Sequence, residues 1–148
     1  MTDHADKFTH SFTASELGTR RALHEIVSRI RKFGVADNQV DDVEIALAEV
    51  VNNVVEHAYA DMAPGSISIR GEVDKHALRL QITDHGHPLP EGRLPTGLPA
   101  SIAGPRAELP EGGFGWYIIR TFARDIHYLR KNGRNQLQLT FDLIPPAD

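Results

Sequence analysis

The chain has 148 residues, 41% of them hydrophobic and 24% charged, with no cysteine and a formal net charge of −4. That length allows one domain with a sizeable core, and the composition is ordinary for a globular protein. The acidic balance argues against direct nucleic-acid binding, and the lack of thiols removes disulfides, thiolate metal sites and a cysteine nucleophile. No run approaches the roughly 18 apolar residues of a membrane span, so no membrane role is expected. Met1 to Phe12 mixes charge and histidine without the apolar core of a signal peptide, which points to the cytoplasm.

In chain order, Phe8, His10 and Phe12 alternate and predict a short first strand over 8–13. Thr13-Ala14-Ser15-Glu16 fits a capping box, with Thr13 as N-cap. The helix that follows, over 15–33, puts Leu17, Leu23, Ile26, Val27 and Ile30 on one side. Arg20, Arg21, Arg29, Arg31 and Lys32 lie toward the other. Asp37 is the expected N-cap of a second helix over 38–59, with Val43, Leu47, Val50, Val54 and Ala58 as its core stripe. After the Pro64-Gly65 turn, 66–73 and 77–83 alternate as a hairpin.

Residues 85–112 hold six of the nine prolines and five of the twelve glycines. No helical or strand period survives there. A loop of that length inside a compact domain is usually functional or disordered. A third helix is expected over 116–124. A last hairpin joins 125–130 to 136–143 across Lys131-Asn132-Gly133-Arg134. The order of elements predicts one α+β domain spanning 1–148. It is a two-layer sandwich, with a mostly antiparallel mixed sheet and helices on one face.

Three clusters carry chemistry. Glu49, Asn53 and His57 are spaced i, i+4, i+8, and each step of four advances only about 40° around a helix, so they form one row. A carboxylate beside a carboxamide places a base next to an oxygen ligand for a hard cation. Asp84-His85-Gly86 stands at a strand end. A buried carboxylate there accepts hydrogen bonds only, which suits an exocyclic amine such as that of adenine. Gly112-Gly113-Phe114-Gly115 opens the third helix, where free N–H groups and the helix dipole favour an anion. Taken singly, each cluster has a plain alternative: polar residues at the rim of a buried face, an Asp-x-Gly turn, a glycine-rich helix start. No P-loop motif occurs.

Taken together and in this order, the clusters resemble the Bergerat-fold (histidine kinase-like) ATPases. Within them the chain resembles the anti-sigma factor serine/threonine-protein kinases. Asn53-Val54-Val55-Glu56-His57-Ala58-Tyr59 is similar to that group's N-box, and Glu111-Gly112-Gly113-Phe114-Gly115-Trp116 to its second glycine box. Asp125-Ile126-His127-Tyr128 is similar to the acidic-then-strand segment that follows. The resemblance implies ATP and Mg²⁺ as cofactors. It implies Asn53 as magnesium ligand, Glu49 as catalytic base, and Asp84 with Gly86 at the adenine. Gly113, Phe114 and Gly115 would lie at the phosphates, His57 near the nucleotide, and an ATP lid over about 88–112. It further implies a homodimer that sequesters a sigma factor and phosphorylates an anti-sigma factor antagonist on serine. The alternative is a nucleotide-gated partner-switching module without efficient kinase activity. The chain departs from the group's pattern at His87-Pro88, Glu111 and Gly133-Arg134-Asn135.

Overall fold

The computed structural model describes residues 6–95 and 113–144. Most of the expected lid, with Glu111 and Gly112, lies outside the described residues. The elements are β1 (Asp6–Thr13), α1 (Glu16–Lys32), α2 (Asp37–Asn53), β2 (Ser66–Val73), β3 (Ala77–Asp84), α3 (Gly113–Phe122), β4 (Asp125–Lys131) and β5 (Arg134–Asp142). The strands form one sheet in the order β1-β2-β3-β5-β4. Every neighbouring pair is antiparallel, so the expected mixed sheet is antiparallel throughout. Composition explains why β5 takes the inner slot. Leu137, Leu139 and Phe141 of β5 are buried, whereas β4 alternates exposed and half-buried residues and suits an edge.

Strand alternation turns one face of the sheet toward the helices. Ile67 and Ile69 of β2, Leu78, Leu80 and Ile82 of β3 and Leu139 of β5 are buried against Ile26 and Ile30 of α1, Leu47 and Val50 of α2, and Ile119 of α3. Among the described residues no helix is long and apolar enough to cross a membrane.

Local chemistry shifts two helix starts from the sequence expectation. Thr13 pairs with Ser66 in the ladder, so its backbone is extended and committed to the sheet. Ser15 caps α1 in its place, its Oγ accepting from the Gly18 N–H at 3.0 Å. Helix α2 has Ala36 at the cap position without a side-chain bond, and Asp37 is its first helical residue, where negative charge still favours the dipole. Asn132 and Gly133 of the β4–β5 turn both have positive φ (54° and 74°), the conformation that matches a two-residue hairpin turn to strand twist.

The largest departure lies at the C-terminal end of α2. Regular helix stops at Asn53, and Val54–Ala58 continues as a π-turn, closed by the Tyr59 N–H donating to the Val54 carbonyl at 3.0 Å. Tyr59 anchors this turn to the sheet. Its hydroxyl donates to the Ser66 carbonyl at 2.8 Å and accepts from the His85 N–H at 2.9 Å. Burial pushes the phenol above its ordinary pKa, opposed by the bond from His85. One side chain therefore joins the end of α2, the start of β2 and the segment after β3. Tyr59→Phe removes both bonds and leaves the His85 N–H without its partner. It is expected to destabilise the fold by about 1–3 kcal/mol, read from urea denaturation midpoints. An unchanged midpoint would show that the anchor carries no stability.

Candidate functional site

Helix α3 begins against the last turns of α2, and the fit is tight. A Cβ added to Gly115 would lie 2.8 Å from Glu49 Oε2 and 3.8 Å from Asn53 Oδ1. A larger residue at position 115 would push the free end of the Glu49 side chain aside and would meet Asn53 at ordinary contact distance. Glu49 and Asn53 are partly buried. The Asn53 Nδ2 is shut off from solvent and has no hydrogen-bond partner among the described residues. An unpaired buried amide is costly, and it is what a site awaiting a polar ligand presents. Gly113 and Phe114 open α3, but the placement of their side chains lies outside the described residues.

The expected row of three runs from regular helix into the π-turn. An i→i+5 turn holds one more residue than an α-helical turn, so residues beyond Asn53 rotate back relative to the row. His57 lies on this turn and is exposed. The structure brings Glu49, Asn53 and Gly115 together.

What the π-turn supplies instead is backbone. The Ala58 carbonyl accepts from the His87 N–H at 2.6 Å. Gly86 passes so near that a Cβ there would lie 2.3 Å from the same oxygen, so no larger residue fits without displacing the chain. His87 Nε2 also lies 3.2 Å from the Ala60 carbonyl. The segment after β3 is thereby docked on the turn that follows Asn53, and this sets Asp84 beside that turn.

Asp84 is 3% exposed. Its place in β3 is in phase with Ile82, Leu80 and Leu78, so its carboxylate is on the inward face. Oδ1 accepts from the Gly86 N–H at 2.9 Å and from Asn135 Nδ2 at 2.8 Å. No hydrogen bond reaches Oδ2 among the described residues. Burial pushes the Asp84 carboxyl above the ordinary carboxylate range. The bonds from Asn135 and Gly86 and the charges of Arg130 and His85 oppose the rise.

Asn135 was not singled out as a site residue from the sequence. It pairs with Asp84 in the β3–β5 register and is in phase with the inward Leu137 and Leu139. A carboxamide at a core-phase position of a strand was the available signal. Tyr128 and Arg130 of β4 complete the network around it.

A model of the histidine kinase-like ATPase domain matches residues 12–141. The serine-protein kinase RsbW of Bacillus cereus is 30% identical over 111 residues, 74% of this chain and 69% of that protein. The serine-protein kinase RsbW of Bacillus anthracis matches to the same extent. Among solved structures, the RsbU and RsbW domains of Rv1364c from Mycobacterium tuberculosis share the fold at a TM-score of 0.68 and 17% identity. That match covers 96% of this chain and 34% of the mycobacterial one, so the chain spans about a third of that longer polypeptide. With the family's model matched over nearly its whole length and kinase relatives at this identity, the chain belongs to the histidine kinase-like ATPase domain family.

Proposed function

We propose that the protein is an ATP-dependent protein-serine kinase of the anti-sigma class, which phosphorylates an anti-sigma factor antagonist and sequesters a sigma factor, acting as a homodimer. The observation that carries this reading is the contact of the α3 start with Glu49 and Asn53. It sets a carboxylate, a carboxamide and a helix N-terminus around one small volume, as phosphoryl transfer needs. The serine-protein kinase relatives support it.

In this reading the nucleotide lies along the C-terminal end of α2. Its adenine amine donates to Asp84 Oδ2, the oxygen that the described residues leave without a donor. Gly86 gives the base room beside the π-turn. The phosphates face the first turn of α3, where Gly113, Phe114 and Gly115 contribute N–H groups that intrahelical bonds do not use. Asn53 would hold Mg²⁺ through Oδ1, a hard oxygen that suits that ion, while its orphaned Nδ2, a donor, would serve a phosphate oxygen. Bound there, the ion supplies neutralisation of phosphate charge. Glu49, with no hydrogen bond or ion pair among the described residues, takes the proton of the substrate serine as its oxygen attacks the γ-phosphorus. The bond to ADP breaks as the new ester forms.

Incubation with labelled ATP and a candidate antagonist tests the reading. Glu49→Gln is expected to cut transfer by about 10²–10⁴-fold with ATP affinity retained. Equal transfer by the variant removes Glu49 as base. A wild-type chain that binds ATP and never labels the serine is the partner-switching module instead.

A second expectation follows from the buried carboxylate. With the folded pKa of Asp84 raised above its unfolded value, the native state holds its proton to higher pH than the unfolded chain does. Stability therefore falls as pH rises from about 3.9, the unfolded value, through the folded pKa. Asp84→Asn keeps an oxygen for the Gly86 and Asn135 donors and removes the charge. Its melting temperature at pH 7 is expected to equal or exceed that of the parent, while ATP binding is lost because an N–H then faces the base amine. A large drop in melting temperature would contradict the stated cost of burying the charge.

A further inference from the structure

Behind Asp84 lies a polar network that the proposed phosphoryl transfer does not use. We propose that Asn135 is a positioning residue for base recognition: its carboxamide holds the Asp84 carboxylate and the His85–Leu89 segment in one fixed geometry, and Tyr128 and Arg130 fix the carboxamide. The inference rests on the reading of Asp84 as the adenine contact and adds to it how one carboxylate selects a 6-amino over a 6-oxo purine.

Asn135 is 6% exposed, and both ends of its amide are in use. Nδ2 donates to Asp84 Oδ1 and to the His87 carbonyl, each at 2.8 Å. Oδ1 accepts from the Tyr128 hydroxyl at 2.5 Å and from Arg130 Nη1 at 3.1 Å. Two donors meeting on one atom identify that atom as the oxygen and exclude the flipped amide. The same two residues also hold the chain that carries the base site. Arg130 Nη1 donates to the Gly86 carbonyl at 2.6 Å, and the Tyr128 hydroxyl accepts from the Leu89 N–H at 3.0 Å.

This arrangement decides which donors and acceptors face the base. With Oδ1 filled by Gly86 and Asn135, the carboxylate has one oxygen to offer. An ionised Oδ2 attracts an exocyclic amine and repels a carbonyl oxygen. A protonated carboxyl would instead donate to a 6-oxo group. Selectivity therefore depends on keeping the buried group ionised, and the Asn135 bond works in that direction against burial. The other titratable or charged groups around it among the described residues are Arg130 from β4, the Tyr59 phenol from the π-turn, and His85 and His87 from its own segment. All of them are retained when Asn135 alone is changed.

The test measures ATP and GTP affinity of the full chain by calorimetry between pH 5.5 and 8, for wild type, Asn135→Leu, Tyr128→Phe and Asp84→Asn. Asn135→Leu is expected to bind ATP about 10- to 100-fold more weakly at the acid end. Its affinity should recover as pH rises and the carboxyl ionises, and its ATP/GTP ratio should narrow. Tyr128→Phe, which frees one side of the amide oxygen and leaves the donor in place, is expected to move the same way by less. A folded Asn135→Leu with the wild-type pH profile and ATP/GTP ratio overturns the proposal. If that variant does not fold, Tyr128→Phe decides, and a wild-type profile from it overturns the proposal too. Asp84→Asn separates the two claims, because its binding ATP like the parent would remove the adenine reading itself and the proposal with it.

Discussion

A carboxylate on the buried face of a sheet is costly unless hydrogen bonds surround it, and the arrangement of one end of this molecule follows from that requirement at Asp84. Two donors reach its Oδ1, one from the turn that follows it and one from the neighbouring strand. The strand order is what makes the second available. Because β5 lies between β3 and β4, Asn135 faces Asp84 directly, and Tyr128 and Arg130 stand one strand further out behind Asn135. A hairpin inserted the other way round would put β4 next to β3 and separate the amide from the carboxylate.

The second joint is the π-turn. An α2 helix continuing regularly through Ala58 would direct its carbonyls along the helix. The wider turn gives the Ala58 carbonyl to His87 instead, lets Gly86 approach the backbone, and ends on Tyr59, which ties the same segment to β2. The proposed base and phosphate sites are thus successive stretches of one helix end. The Asp84 loop is docked on one stretch, and the start of α3 on the other.

Much of this could be read from the sequence. Hydrophobic period located all three helices and all five strands to within a few residues, because each element buries one face and little else competes. Glu49, Asn53, Asp84, Gly86 and Gly115 stood out because they are polar residues or glycines where packing alone would favour apolar ones. The features that did not show depend on contacts between distant segments. The π-turn carries the docking of Gly86 and His87 on Ala58, a contact between segments far apart in sequence that no local pattern encodes. Asn135 falls just outside the expected strand over 136–143, because Asn132-Gly133 marks the turn strongly and obscures where β5 begins. Thr13 carried a capping pattern that its place in the sheet overrode. The expected mixed sheet gave way to an antiparallel one because strand order is set by which strand is most apolar, a comparison between β4 and β5.

We propose that this end of the fold is an adenine-nucleotide site, with an ionised carboxylate at the base and Asn53 at the phosphates. Calorimetric titration of the wild-type chain with ATP, with and without Mg²⁺, and with GTP tests it most directly. One ATP per chain, tighter binding when Mg²⁺ is present and much weaker binding of GTP are expected. Absence of ATP binding under both conditions, or equal affinity for ATP and GTP, would contradict it.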